Sequence, residues 1–350
     1  MKANSMVRRV HSIHPCHARE ADQSLWSERR SLFRAGRSWL GAMALAVACG
    51  PVLAQGYPNR PIRVIVPNTP GTVYDHEARV LAPEMSKILG QPLVVENRGG
   101  AGGVIGTEYV AKQAPADGYT ILPAGVEYVG SFPTLQKDLR FDPGKDILPV
   151  LNYAELRLVL LTSSKSPLKT MADLVNASKT ASLNYGSSAA SFRILTEMLI
   201  REFGMKDVVF VRYPSGAPLM QGLAVGDVHF GFLGEATSMA IADRTRALAT
   251  MGKQRSAVFP DAPTFGELGH PNFPTGVTDA LFVRTGTDRA IIAKLHDAVM
   301  KSLELPAVKE RFAKLNLIIL GDAHEVAVKS YVEKVRLFTK IAEEAGVKPE

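Results

Sequence analysis

The length, composition and charge of the chain describe an ordinary globular protein preceded by a basic leader, residues 1–54. Of its 350 residues, 46% are hydrophobic and 21% charged, a balance typical of folded rather than disordered chains. The leader holds eight basic and three acidic residues, so the formal net charge of +7 falls to +2 over the other 296 residues. Because a nucleic-acid binder usually has a concentrated basic stripe, we expect no nucleic-acid partner.

The reactive residue types are not arranged for catalysis or metal binding. Both cysteines, Cys16 and Cys49, lie in the leader, so the remaining sequence has no disulfide or thiolate metal site. The five later histidines form no H-E-x-x-H motif, and no G-x-S-x-G nucleophile motif occurs. We therefore expect no metal, no cofactor and no catalytic residues.

The leader is predicted to be an export signal. An apolar run at 39–47 follows basic residues, and the small residues ending at Ala54 supply a cleavage site. Arg29 and Arg30 resemble a twin-arginine signal loosely, so both the Sec and the twin-arginine routes stay open. A lipid anchor on Cys49 is the alternative, which we rank below simple cleavage. The expected location is the periplasm, and no later apolar run is long enough to span a membrane.

Strands and helices alternate along the rest of the chain. Short β-branched runs bounded by turn residues predict strands, and apolar residues three and four apart predict helices. The first half of the pattern is strand 61–66, helix 75–89, strand 93–96, helix 104–113, strand 119–122, strand 156–161 and helix 170–178. The second half is strand 182–185, helix 192–203, strand 208–213, helix 218–225, strands 228–233, 247–251 and 280–283, and helices 288–303 and 324–345. This alternation predicts an α/β fold with largely parallel sheets.

A glycine cluster after the second strand is close to a dinucleotide-binding fingerprint. Gly100, Gly102 and Gly106 follow a strand and open a helix, but the last spacing is one residue too long. No acidic residue ends a clear strand about twenty positions later, where that fingerprint needs one to bind a ribose. We therefore interpret the cluster as a tight structural turn.

Two loops that precede helices are suited to hold an anion. The first, 67–75, follows the first strand, and the second, 185–192, follows a later one; both carry small or hydroxyl residues. At a helix N-terminus, free backbone N–H groups and the helix dipole favour a carboxylate. Ordinary helix capping by Asp75 and Ser191 is the alternative for either loop alone.

Motifs spread over almost the whole chain after the leader resemble those of one transport family. The matching stretches include YPNRPIR at 57–63, GQPLVVENR at 90–98, GAGG at 100–103, APADGYT at 114–120, YGSS at 185–188 and FPDAPT at 259–264. Together they resemble the Bug (TctC-like) family, the periplasmic solute-binding proteins of tripartite tricarboxylate transporters.

The resemblance implies an α/β, type II periplasmic binding-protein fold with two Rossmann-like domains around a ligand cleft. The first domain would combine 55–155 with 277–350, and the second would be 156–276. A small organic acid would bind between them and close the domains by a hinge. The implied partners are the membrane subunits of a tripartite transporter, and we expect a monomer.

The resemblance also implies that backbone groups of the two loops hold the ligand carboxylate, without an arginine clamp. Arg193 is adjacent to the second loop, where a solvated helix position is the simpler interpretation. The predicted substrate-binding residues are Asn68, Gly71, Thr72, Val73, Tyr74, Asp75, Glu127, Gly186, Ser187, Ser188, Ala189, Ser191 and Asp279.

Departures from the family pattern lie around the expected cleft. Glu127 and Asp279 stand where the family usually has neutral or aromatic residues. If both face the cleft, like-charge repulsion argues against a second free carboxylate at the far end of the ligand; solvent-facing rim positions are the alternative. Two other functions stay open: a ligand-binding accessory of a sensory system, and an enzyme on the same scaffold.

Overall fold

The computed structural model describes residues 56–344, apart from the side chains of Leu135 and Ala190; the predicted leader lies outside this range. The strands are β1 Ile62–Val66, β2 Leu93–Asn97, β3 Thr120–Gly125, β4 Ile147–Leu156, β5 Leu158–Ser163, β6 Leu183–Ser187, β7 Val208–Arg212, β8 Gly231–Gly234, β9 Thr245–Thr250, β10 Val277–Arg284 and β11 Leu317–Ile319.

Helices connect most of these strands. They are α1 Val73–Leu89, α2 Val104–Glu108, α3 Val126–Gly130, α4 Phe132–Leu135, α5 Pro143–Asp146, α6 Met171–Thr180, α7 Ala190–Glu202, α8 Gly216–Val225, α9 Glu235–Ser238, α10 Arg289–Glu304, α11 Pro306–Lys314 and α12 His324–Glu344. Short 3-10 turns at Ala101–Gly103 and Met239–Ile241 and a π-helical turn at Tyr109–Gln113 complete the set. None of the helices in residues 56–344 combines the length and the apolar character that a membrane-spanning segment needs.

The strands form one large sheet and two smaller ones. The six-stranded sheet has the order β11-β4-β10-β3-β1-β2, the three-stranded sheet β8-β5-β9, and β6 pairs with β7. A bridge between Tyr185 and Phe230 places β6 beside β8. All six strands of the large sheet come from 62–156 and 277–319, whereas the smaller sheets use only 158–250.

The predicted α/β class is confirmed, but the prediction of largely parallel sheets is wrong. Of the eight strand pairs in the described residues, only β1–β2, β1–β3 and β6–β7 are parallel. The long β10 enters the large sheet antiparallel to both β3 and β4. Strand β10 is buried on both faces, as parallel strands usually are, so neither its burial pattern nor the alternation of elements could reveal its antiparallel direction.

Strand β4 is the longest element that the sequence pattern missed. All its residues from 147 to 154 except Leu148 are buried, and it pairs with β10 on one side and β11 on the other. Pro149 lies inside it, opposite Phe282 and beside an irregularity in the ladder. Because proline cannot donate a ladder hydrogen bond, a proline within an apolar run argues against a strand unless a bulge accommodates it.

The last helix, α12, packs into two hydrophobic cores. Tyr331 is buried in the core that contains Ile65 of β1. Two turns later, Phe338 and Ile341 are buried in the core that contains Tyr185 of β6. The helix therefore joins the layers on the six-stranded sheet to those on the smaller sheets.

Candidate functional site

A cavity of about 490 Å³ lies between segments that follow β1, β2 and β3 and segments of β6, α7 and β7. This volume is within the range of roughly 300–1,000 Å³ usual for small-molecule sites. The residues that line it are Asn68, Ala101, Gly102, Tyr128, Phe132, Gln136, Ser187, Ser188, Ala189, Arg193, Phe210, Arg212 and Tyr213.

The lining has a marked chemical bias. It contains two arginines and four aromatic side chains, together with small and neutral polar residues, and no Asp or Glu among the described residues. A cleft lined by one sign of charge attracts ligands of the opposite sign. The cavity is therefore suited to an organic anion with an apolar body.

On the side of the six-stranded sheet, the cavity is lined by Tyr128, whose side chain is held in position by its neighbours. Its hydroxyl donates to the Gly102 carbonyl and accepts from Asn68 Nδ2 at 3.2 Å, and its ring packs edge-on against Phe132 at 5.0 Å. Burial raises the pKa of Tyr128 to about 12, so its hydroxyl keeps its proton at physiological pH. The glycine turn lies against this tyrosine: Gly103 has φ of 91°, and a Cβ there would lie 1.9 Å from the Tyr128 hydroxyl oxygen.

We expect Gly103→Ala to destabilise the protein by about 2 kcal/mol, since alanine combines left-handed strain with displacement of Tyr128. Denaturant unfolding gives the change in free energy. Gly204→Ala is the control, because Gly204 has φ of 59° but nothing within 4 Å of its added Cβ. If both variants lost the same unfolding free energy, the displacement of Tyr128 would have no energetic cost.

On the opposite side, the turn between β6 and α7 supplies Ser187, Ser188 and Ala189. The Ser187 hydroxyl donates to the Ala189 carbonyl at 2.8 Å, which shapes the turn. Ala189 is the N-terminal cap of α7 and has no side-chain capping bond. The first N–H groups of this helix thus lie beside the cavity, where the helix dipole favours an anion.

Arg193, one turn into α7, is the cation most clearly suited to the ligand. Its guanidinium lies over the Phe210 ring, with Cζ 4.2 Å from the ring centroid. Its Nε is buried without a hydrogen-bond partner, and it forms no ion pair within residues 56–344. The guanidinium also interacts with the Tyr185 hydroxyl, which donates to Glu197. A stacked, partly buried guanidinium that forms no ion pair of its own is nevertheless suited to bind an anion. The interpretation of Arg193 as a solvated helix residue is therefore wrong.

The structure brings four of the predicted site residues together around this cavity: Asn68, Ser187, Ser188 and Ala189. The others do not line it: Gly71, Thr72, Val73, Tyr74, Asp75, Glu127, Gly186, Ser191 and Asp279. Gly186 is held in the sheet by its N–H bond to the Phe230 carbonyl, and Ser191 is 4% exposed. Contact of the first four residues with a ligand stays a prediction.

The buried carboxylate of Asp75 holds the first loop in place through hydrogen bonds. It accepts the Gly71 N–H at 2.9 Å and also binds Arg79 and Asn97. Burial opposes ionisation of Asp75, but the hydrogen bonds from Arg79, Gly71 and Asn97 outweigh it and lower the pKa to about 2. The Gly71 N–H is thus bound by the protein itself. The capping alternative is wrong in its residues, because the caps of α1 and α7 are Thr72 and Ala189, not Asp75 and Ser191.

Glu127 and Asp279 lie in the protein interior, each 1% exposed, and not at a solvent-facing rim. Glu127 accepts the Thr278 N–H at 2.7 Å and pairs with Lys334 Nζ at 2.5 Å. Asp279 belongs to a buried group with Glu77, whose Oε2 accepts the Tyr153 hydroxyl at 2.6 Å. The repulsion argument against a dicarboxylate therefore loses its basis.

Protonation keeps the buried carboxyl groups of Glu77 and Asp279 compatible. Burial raises the pKa of Glu77 to about 7, and burial together with the charges of Glu77 and Glu127 raises that of Asp279 well above its usual value. Two neighbouring carboxyls cannot both ionise cheaply in an apolar site, so at least one of them keeps its proton. These two carboxyl groups lie in the interior and do not line the cavity.

Because the folded-state pKa of Glu77 is raised, its contribution to stability is complete below its unfolded pKa and is lost as pH rises through about 7. Glu77→Gln keeps the acceptor for Tyr153. We expect its unfolding free energy, relative to that of the parent, to rise by more than about 1 kcal/mol from pH 5.5 to pH 8. Urea unfolding at the two pH values measures this difference. Glu84→Gln on the same helix is the control, and a gain confined to pH 5.5 would contradict the sign.

Several residues that line the cavity were not predicted from the sequence. For two of them, Arg212 and Tyr213, the pairing of strands was an available signal. Ser187 at the end of β6 pairs in register with Arg212 at the end of β7. Because parallel strands end at the same edge of a sheet, placing the ligand near Ser187 also places Arg212 and Tyr213 there. Tyr128, Phe132 and Gln136 gave no comparable signal. The short helices that carry the first two, and that Gln136 directly follows, were not predicted.

Comparison with known proteins gives a consistent result. A family model described as the tripartite tricarboxylate transporter family receptor (TctC) matches residues 77–345. Protein BugT of Bordetella pertussis is 36% identical over 284 residues, which cover 77% of this chain and 85% of BugT.

Solved structures with bound ligands are also similar. MatC of Rhodopseudomonas palustris, solved with malate, is 27% identical with a TM-score of 0.68, covering 82% of this chain and 100% of MatC. A second Rhodopseudomonas palustris protein, solved with adipate, is 27% identical with a TM-score of 0.70, covering 84% of this chain and 100% of that one.

Proposed function

Because the chain belongs to the tripartite tricarboxylate transporter receptor family, we propose that it captures a small organic acid for a transporter of that type. The predicted type II periplasmic binding-protein fold is confirmed by the similarity to solved periplasmic solute-binding proteins. Family and fold are those of binding proteins, and we propose that the protein is not an enzyme.

The observation that carries this proposal is the anion-binding character of the cavity. Arg193 has no carboxylate partner in the described residues, and Arg212 lies close by on the neighbouring strand. The start of α7 adds backbone N–H groups beside Ser188. Hydrogen bonds from a charged donor to a charged acceptor are roughly twice as strong as neutral ones, so a carboxylate would gain most from this arrangement.

The similar proteins support the ligand class. MatC was solved with malate and a second similar protein with adipate, both carboxylic acids. The aromatic side chains of the cavity would cover the apolar part of such a ligand. A backbone-only site without an arginine, as the sequence suggested, is replaced in this proposal by a site anchored on Arg193.

The proposed location is the periplasm and the proposed partners are the membrane subunits of the transporter, as the family assignment supports. We keep the domain boundaries 55–155 with 277–350, and 156–276. The distribution of strands supports them, because β4 ends at Leu156, β5 begins at Leu158 and β10 begins at Val277.

Ligand contacts from both sides of the cavity would favour a closed state. We expect the radius of gyration measured by small-angle scattering to decrease at saturating ligand. An unchanged radius would argue against hinge closure, without bearing on capture itself.

Calorimetry with a panel of organic acids tests the proposed function directly. We expect micromolar binding of at least one carboxylate, about −8 kcal/mol, and loss of binding when that carboxylate is converted to its amide. Thermal shift gives a parallel measurement, because a ligand bound only by the folded protein raises its stability. Equal binding of the acid and the amide would contradict an anion site.

A further inference from the structure

Asn68 presents a hydrogen-bond acceptor whose orientation is fixed by its neighbours. The Tyr128 hydroxyl donates its proton to the Gly102 carbonyl, so it can only accept from Asn68. This assigns Nδ2 to the side facing Tyr128 and leaves Oδ1 as the other end of the amide. The backbone carbonyl of Asn68 accepts in turn from Asn97 Nδ2 at 3.2 Å, which holds the residue in place.

The Asn68 Oδ1 atom has no donor within the described residues. It is buried, and no hydrogen bond to it is formed. Of the polar side chains that share the cavity, Tyr128 and Ser187 give their hydroxyl protons to backbone carbonyls. A buried acceptor left without a donor is costly, so a partner that supplies one gains more than an ordinary hydrogen bond.

One side of the cavity thus has a donor without an acceptor, and the other has an acceptor without a donor. Arg193, beside β7, has a buried Nε donor without an acceptor, whereas Asn68, after β1, has a buried acceptor without a donor. A ligand that satisfies both must carry an anionic group at one end and a hydrogen-bond donor at the other. A second ionised carboxylate offers only acceptors and would leave Asn68 Oδ1 unsatisfied.

We infer that the ligand is an organic acid with a hydroxyl, amide or amino group remote from the carboxylate that Arg193 binds, and that Asn68 selects this group. The inference rests on the proposed function and specifies its substrate class. Sites built to hydrogen-bond a ligand hydroxyl reject analogues that lack it, because their own polar group is then left unpaired.

Two matched sets of ligands test the inference by calorimetry on the protein without its leader. One set is 6-hydroxyhexanoate, hexanoate and adipate, and the other is 4-hydroxybenzoate, benzoate and terephthalate. In at least one set we expect the hydroxy acid to bind at least tenfold more tightly than both the unsubstituted acid and the dicarboxylate. Binding by acids without this preference, or a preference for the dicarboxylate, overturns the inference and leaves the proposed function intact. If no acid of either set binds, the inference fails, and the wider panel of organic acids decides the proposed function separately.

Substitution at Asn68 assigns the preference to its amide oxygen. We expect Asn68→Leu to reduce the ratio of the affinities for the hydroxy acid and the unsubstituted acid to near one, whatever its effect on the affinity for the unsubstituted acid. Asn68→Asp keeps an acceptor and is expected to retain the preference, which controls for the loss of side-chain volume. A ratio unchanged in a folded Asn68→Leu variant would show that another residue selects the donor. Should this variant fail to fold, the affinity ratios of the parent protein and of Asn68→Asp still test the inference.

Discussion

Replacing Arg193 by glutamine is expected to lower the affinity for the best carboxylate about 100-fold, or about 2.7 kcal/mol. The substitution removes a charge-assisted donor from a partly buried position, where truncating one member of a charged pair costs about 2–5 kcal/mol. It also removes the stacking of the guanidinium on Phe210. Calorimetry of the parent and the variant with the same acid measures the loss.

Two further variants distinguish this effect from a general disturbance of α7. Arg193→Lys keeps the charge but not the planar stack, so we expect an intermediate affinity. Arg201→Gln changes an arginine on the same helix that pairs with Glu344 and does not line the cavity. Affinity in Arg201→Gln should stay within twofold of the parent. A loss there as large as in Arg193→Gln would mean that the helix, not the cavity cation, is being tested.

Replacing Lys334 by methionine is expected to destabilise the protein by about 3–5 kcal/mol. Glu127 is 1% exposed, and its Oε1 lies 2.5 Å from Lys334 Nζ. Removing one partner of a buried ion pair leaves an uncompensated charge in an apolar site, which costs far more than the pair contributes. The loss also frees the Thr278 hydroxyl, to which Lys334 Nζ is hydrogen-bonded at 2.5 Å.

Adding Glu127→Gln to this variant should restore most of the stability, because the amide keeps an acceptor for the Thr278 N–H without a charge. Lys340→Met, at an exposed position of the same helix, is the control and should change the unfolding free energy by less than about 0.5 kcal/mol. Denaturant unfolding of all variants gives the comparison. A double variant no more stable than Lys334→Met alone would argue that Lys334 acts through packing.

The sequence located the two loops correctly because turn residues and helix starts leave local signals. Which N–H groups remain free for a ligand depends instead on longer-range contacts. The Gly71 N–H is bound by Asp75, a carboxylate four residues later that also binds Asn97 from the next strand. Arg193 was interpreted as a solvated helix residue, because nothing local in the sequence shows that its guanidinium stacks on Phe210 beside a cavity.

The buried acids mark a second limit of sequence reasoning. Whether Glu127 lies at a rim or in the interior depends on Lys334, 207 positions later in the chain. Glu77 was not singled out at all, since a glutamate within an amphipathic helix is ordinarily solvated. Its burial follows from the pairing of β10 with β3 and β4, which brings Asp279 over α1. No local sequence pattern predicts this pairing.

The double anchorage of α12 restricts how the two halves of the molecule can move. A hinge made only of the two crossing segments, near 156 and 276, would leave rotation nearly free. Here a third connection runs across the gap, with Tyr331 fixed in one core and Phe338 and Ile341 in the other. A close-packed interior resists sliding, so large rotations would have to bend this helix or extract an aromatic ring. We therefore expect the helix to restrict any hinge motion to a small amplitude.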